Sequence, residues 1–387
     1  MLNRKVSKII GPVAGIMAFM IAIGAVSIPV YAAENVNSNY EINQNGVKLK
    51  VTDIAGTKHR IKVDAIIERE DGSIDLDHRN HNLNIYMENT KREGSSMSSH
   101  NDDNKIEIST ENRSKEGFSE TGNIRVDLVM GQYDFNGSLV IPVDFTESFK
   151  QVIEKDLNTE VSNDIKIIGF ESDVLGTRII VDEPVDKWGR PINFFNDSMR
   201  YIMKVDDKIY LMDSHGHNYD DNNYKIYELD NLKYDYIKDV KKISIIPLKC
   251  DLTTEEYEEY YENNSENCRN NKIINDNIKY NNEILFEDGT KGEIKVERTG
   301  EKIKLYCNSD SDKKSLLMAV EIDGIYMDGE DYCGHSDKPI IYKSTENENQ
   351  YIVEFNNEHK DKTFEAFLEG IISNIDKFEL GNEISVK

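Results

Sequence analysis

From Tyr40 onward apolar residues recur at every second position in short runs, among them Val47-Lys48-Leu49-Lys50-Val51, Ile61-Lys62-Val63-Asp64-Ala65-Ile66, Ile106-Glu107-Ile108, Ile124-Arg125-Val126-Asp127-Leu128 and Leu139-Val140-Ile141. A period of two sends alternate side chains to opposite faces, so each run predicts a half-buried β-strand. Asn45-Gly46, Asp71-Gly72, Asn136-Gly137, Asp288-Gly289, Asp323-Gly324 and Asp328-Gly329 supply residues that tolerate the positive φ of tight hairpins. The pattern predicts an all-β chain.

A longer period overlies the short one. Leu49-Lys50-Val51 leads through Gly56-Thr57 to Ile61-Lys62-Val63, Ile165-Lys166-Ile167 through Gly176-Thr177 to Ile179-Ile180-Val181, and Ile294-Lys295-Val296 through Gly300 to Ile303-Lys304-Leu305. A spacing near 120 residues suits a β-sandwich of about 100 residues plus loops. The expected organisation is therefore tandem immunoglobulin-like β-sandwich domains at 34–145, 146–262 and 275–387. Val140-Ile141-Pro142-Val143 and Ile245-Ile246-Pro247-Leu248 would close the first two, each proline on an edge strand because it cannot donate to a ladder.

Other stretches break the alternation. Thr253-Thr254-Glu255-Glu256 has the spacing of a capping box and predicts a helical linker with Tyr257, Tyr260 and Tyr261 on one side. Phe364 to Ile375 fits either a helix or a pair of strands at Phe364–Leu368 and Lys377–Leu380, and the repeat favours the strands. Ser95–Asn104 is polar without period and reads as a loop.

The N-terminus differs from everything after it. Arg4, Lys5 and Lys8 precede an uncharged run from Ile9 to Val30, 22 residues long. As a helix it would span about 33 Å, the thickness of a bilayer core. The positive flank predicts that residues 1–8 stay in the cytosol and that everything from Ala33 lies outside. Residues 1–33 read either as a retained transmembrane anchor or as a signal peptide cleaved after Ala32 in Val30-Tyr31-Ala32. The expected location is the cell membrane, single-pass with the C-terminal part outside, or the secreted state after that cleavage.

Ile28-Pro29-Val30-Tyr31-Ala32, Asn43-Gln44-Asn45-Gly46-Val47-Lys48-Leu49, the stretch from Gly137 to Asp144 and Ile165–Val181 together resemble an uncharacterised ectodomain family of anti-sigma-factor-like single-pass proteins of Gram-positive bacteria. Asp186-Lys187-Trp188-Gly189-Arg190 and Lys242-Ile243-Ser244-Ile245-Ile246-Pro247 are similar to the immunoglobulin-like domain that follows in such proteins. The resemblance covers roughly residues 9–250. It implies an extracytoplasmic β-sandwich; the sigma-factor contact of that family lies in a cytosolic segment, for which only Met1 to Lys8 are available, and is not carried over.

Composition narrows the chemistry. The 387 residues carry 72 acidic against 47 basic side chains, a net charge of -25, which repels a phosphate backbone and excludes nucleic acid as the main partner. Removing the three positive charges of the N-terminal flank leaves -28 for the remainder.

Cys250, Cys268, Cys307 and Cys333 all lie in the last third. Outside the cell an even set tends to pair, and local bridges from 250 to 268 and from 307 to 333 are the simplest connectivity; buried free thiols are the alternative. No C-x-x-C suggests zinc.

His78 and His81, and His215-Gly216-His217 beside Asp213, Asp220 and Asp221, read as polar loops rather than metal sites. Asp71-Gly72-Ser73-Ile74-Asp75-Leu76-Asp77 begins like a calcium loop but has Leu76 at the sixth position and Asn82 at the twelfth, so it fails as an EF-hand, and scattered carboxylates would bind calcium only weakly. Ser311-Asp312-Lys313-Lys314 matches S-x-x-K in a polar turn, without the S-D-N or K-T-G that accompanies a nucleophilic serine. No catalytic, cofactor or metal residue is assigned. The expectation is a non-catalytic sensory or interaction protein that meets the membrane through its N-terminal helix and an envelope or protein ligand through its sandwiches. A cell-surface hydrolase and a structural envelope spacer are the alternatives.

Overall fold

The computed structural model describes residues 40–69, 81–88, 94–102, 105–114, 116–162, 164–183, 199–217, 224–250, 272–275, 281–286, 288–327, 330–331, 339–357, 364–368 and 375–387, with a few isolated positions between them. The apolar run of residues 9–30, the Asp186–Arg190 stretch, the Thr253–Tyr261 linker, His78, Cys268 and Cys333 lie outside these. Among the described residues the fold is all-β, and every strand pair is antiparallel. No helix among the described residues is long and apolar enough to cross a membrane.

The first unit faces two sheets across one core. One sheet runs β1 (Glu41–Gln44), β2 (Val47–Gly56), β3 (Arg60–Arg69), β6 (Lys105–Arg113), β5 (Gly94–Asp102); the other runs β4 (His81–Met87), β7 (Thr121–Met130), β8 (Phe135–Asp144). Alternation does the sorting: Ile124, Val126, Leu128 and Met130 of β7 are buried against Leu49, Val51, Val63 and Ile67 of β2 and β3. Asn112 of β6 reaches across and donates through Nδ2 to the Ile85 carbonyl of β4 at 2.5 Å. Residues 94–102 are strand β5, where the sequence predicted a loop. Ser95, Ser96, Met97, Ser98 and Ser99 are all exposed, so this strand projects beyond the narrower opposite sheet and has no buried face to impose alternation.

The second unit packs a sheet of β14 (Asp213–His217), β15 (Tyr224–Leu229), β11 (Thr177–Asp182), β10 (Ile165–Ser172) and β9 (Ile153–Ser162) against β12 (Arg200–Val205), β13 (Lys208–Leu211) and β16 (Ile243–Cys250), with a single-turn α1 (Tyr234–Ile237). The last three strands do not stop at that unit. They continue through β23 (Ile340–Lys343), β24 (Gln350–Asn356), β20 (Lys302–Ser309), β19 (Lys291–Arg298) and β18 (Asn281–Leu285), and on the other side take up β26 (Phe378–Leu380) and β27 (Ile384–Ser385), as one ten-stranded sheet.

Tyr201, Met203, Ile243 and Ile245 face the second core, while Ile202, Ile246 and Leu248 of the same strands face the third. Burial on both faces explains why apolar residues stand side by side here, as in Tyr201-Ile202-Met203 and Ile245-Ile246, instead of alternating with polar ones. The third core is completed by α2 (Asp312–Val320), and a small sheet of β17 (Lys272–Asn275), β25 (Phe364–Leu368), β21 (Ile322–Met327) and β22 (Glu330–Asp331) lies in the same part of the chain. The segment around Phe364 is thus a strand, as the repeat favoured.

Gly56, Gly176 and Gly300 fall at the tips of the β2–β3, β10–β11 and β19–β20 hairpins, where the aligned repeat placed them. Their constraints differ. Gly176 has φ +151°, and a Cβ there would meet the Leu229 carbonyl oxygen at 2.7 Å; at Gly300 nothing lies within 4 Å. Pro142 is on the edge strand β8, as expected. Pro247 is not on an edge: β16 is paired on both sides, and the proline sits in the gap between β26 and β27, where its carbonyl accepts from Gly381 N at 2.8 Å. The missing N–H faces that gap, so an interior strand accommodates it.

Candidate functional site

A closed set of charges joins the first unit to the second. Arg60 opens β3, and its backbone is fixed by the turn: Thr57 N donates to the Arg60 carbonyl at 2.7 Å and Arg60 N to Thr57 Oγ1 at 3.1 Å. The side chain leaves the first unit and grips Asp173 in two places, Nη2 to Oδ1 at 2.5 Å and Nε to Oδ2 at 3.3 Å. Asp173 lies in the β10–β11 turn and is itself pinned by Leu175 N and Gly176 N, which donate to Oδ1 at 2.8 and 3.2 Å. Arg60 Nη2 also donates to the Gly176 carbonyl at 3.4 Å. That contact explains the glycine, since the turn must bring its backbone close to both Leu229 and the guanidinium.

Around this pair the charges continue. Glu228 of β15 accepts from Arg60 Nη1 at 3.5 Å and from Arg113 Nη2 at 3.0 Å; Glu111 of β6 accepts from Arg113 Nε at 2.7 Å and lies 3.7 Å from Arg60. Arg178 of β11 donates to Glu171 at 2.8 Å. Three guanidinium groups and four carboxylates are thus collected where two units meet. The side chains of Arg60 and Asp173 are each 1% exposed.

Burial opposes the charge on Arg60, but Asp173, Glu111 and Glu228 more than offset it and hold the guanidinium above its ordinary value. Burial likewise raises the Asp173 and Glu111 carboxyls, and the arginines reverse this: Arg60 and Arg178 hold Asp173, and Arg60 and Arg113 hold Glu111, below the usual carboxylate range. The bidentate contact and the two backbone donors are what make such burial tolerable.

A second buried bridge ties the later units. Arg200 Nη1 of β12 donates to Glu321 Oε1, just beyond α2, at 2.5 Å, and the Glu321 side chain is 1% exposed. The arrangement at both places is suited to holding strands in fixed positions. Each charge is spent on another charge.

The residues singled out by sequence fall elsewhere. Cys307 is a free thiol on the central strand β20, fully buried in the third core, and burial pushes it well up from its ordinary value. Cys250 ends β16, while Cys268 and Cys333 lie outside the described residues, so the expected pairings meet no second described side chain. His215 and His217 are on strand β14, with a register shift between them at Gly216, where the sequence predicted a loop. His81 opens β4.

Ser311 is the N-cap of α2, accepting from Lys314 N at 3.2 Å, where the sequence predicted a polar turn. Lys314 points away from it, pairing with Asp288, lying 3.4 Å from Asp376 and sitting 5.0 Å from the Phe286 ring centroid. Among the described residues no group of three His, Cys, Asp or Glu could hold a metal ion. A crevice beside Ile61, Ile85, Met87, Phe118 and Ile124 in the first unit has about 10 Å³, room for a water and not for a substrate.

No family profile and no curated protein matches the chain. Among solved structures it is similar to the conserved domain protein from Bacillus anthracis, at 13% identity and a TM-score of 0.39 over 55% of this chain and 76% of that one. A likeness this distant carries no functional argument.

Proposed function

We propose that the chain is a non-catalytic interaction or sensory protein of the cell exterior, tethered through or released from its N-terminal apolar segment, whose β units act as one stiff body. The observation that supports this best is the junction at Arg60. Seven charged side chains meet in a buried place, and all are paired with one another or with backbone rather than presented to a ligand-sized cleft. A hydrolase needs charges left available to a substrate. A body that presents strand edges and loops to a partner needs its units held in register, which is what a desolvated bidentate pair does. The immunoglobulin-like character of the units belongs to the same proposal.

The test has two arms. Protease added to intact protoplasts is expected to digest the portion after residue 33; full protection would place it in the cytosol. The immobilised full chain is then exposed to purified wall polysaccharide, membrane vesicles and secreted proteins. Saturable binding with the ligand recovered at unchanged mass supports the proposal. A recovered ligand of altered mass makes the chain an enzyme, and no saturable binding to any fraction makes it a spacer.

A further inference from the structure

We propose that the β5 edge is a self-recognition site, pairing antiparallel with the same strand of a second copy so that Met97 lies on the two-fold axis. This deepens the interaction reading by naming a partner. The strand is nine residues long, and its register against β6 runs from Gly94 opposite Arg113 to Asp102 opposite Lys105 without a shift. Residues 95–99 are exposed on both faces, and Met97 is 46% exposed. Among the described strands β5 pairs only with β6, and an edge of this kind offers a row of backbone donors and acceptors to another strand.

Among the described strands, several other edges are blunted. β8 carries Pro142, β9 and β14 have register shifts, β1 has only four residues, and the Ile85 carbonyl of β4 is occupied by Asn112. β5 contains neither Pro nor Lys.

The backbone direction selects the register. Thr110 Oγ1 of β6 donates to the Ser96 carbonyl at 3.2 Å, so that carbonyl faces β6. In a strand the N–H and C=O of one residue point the same way and alternate along the chain, which leaves those of Ser95, Met97 and Ser99 on the open side. An antiparallel copy placed with Met97 opposite Met97 sets Ser95 opposite Ser99, so outward-facing groups meet outward-facing groups.

The sequence is close to symmetric about that point: Ser96 and Ser98 flank Met97, then Ser95 and Ser99. A two-fold contact must be self-complementary, and this segment is. Small serines allow close approach, and the paired methionines supply the apolar centre.

The test is the oligomeric state of the full chain in detergent micelles, by sedimentation, for the wild type, Met97→Pro, Met97→Lys and the control Val140→Lys on the exposed face of β8. Proline at 97 removes an outward N–H while leaving the β6 ladder untouched, and lysine puts two like charges at the axis. A wild-type and Val140→Lys dimer, with both position-97 variants weakened about tenfold or more, supports the proposal. Wild type monomeric at about 100 μM, or a dimer surviving both substitutions, overturns it. If Met97→Pro lowers the melting temperature, Met97→Lys decides. Saturable binding of an envelope fraction by a monomeric wild-type chain would refute the dimer while leaving the interaction reading intact.

Discussion

Arg60 is the residue on which the connection between the first two units turns. Replacing it with methionine keeps the stem's bulk but leaves Asp173 buried beside an apolar side chain, and breaking such a pair from one side costs about 3–5 kcal/mol. Arg60→Lys retains the charge and loses the two-point grip on Asp173, so its cost should be smaller but measurable by urea unfolding. Acid should act on the same contacts. Asp173 and Glu111 are held below the ordinary carboxylate range, so their stabilisation is present above about pH 4 and is lost as pH falls through their lower folded values. The unfolding free energy is expected to decline with acidification below about pH 4, and Arg60→Met should flatten that decline. None of this is legible in the sequence. Arg60 precedes Ile61 at a strand start like any solvated end residue, and its partners Asp173 and Glu228 are 113 and 168 positions away.

At the scale of elements, the glycine-centred hairpins were legible because two local signals, alternation and a turn glycine, agree. Which glycine is required was not, because that depends on what the turn touches. Gly176→Ala is expected to cost about 2 kcal/mol or more, from the positive φ together with the clash against Leu229, while Gly300→Ala should stay within about 0.5 kcal/mol; thermal melts of the two variants check this. Helix α2 escaped the reading for a physical reason. Residues 314–320 are buried all round, so no polar face marks a period of 3.6, and the cap at Ser311 was the only helical signal. Strand β5 escaped for the opposite reason, having no buried face. Pro247 misled because the rule that confines proline to edges counts the missing donor, and here that donor faces the break between β26 and β27.

At the scale of the molecule, the all-β class was written in the alternation, but the sharing of strands between units was not. A strand buried on both faces looks the same whether its two cores belong to one domain or two. Residues 34–151 contain a closed core and are expected to fold alone, whereas 275–387 would expose the faces that pack on β12, β13 and β16 and should remain unprotected in amide exchange.

The proposed function requires the units to behave as one body through the Arg60 junction. Its most direct test is the distance distribution between spin labels at Val140→Cys on β8 and Leu285→Cys on β18, both exposed, in a background with Cys250, Cys268 and Cys333 changed to serine and the buried Cys307 left in place. A single narrow distance that broadens in Arg60→Met is the predicted result. A broad distribution in the starting protein, or a narrow one indifferent to Arg60→Met, would contradict it.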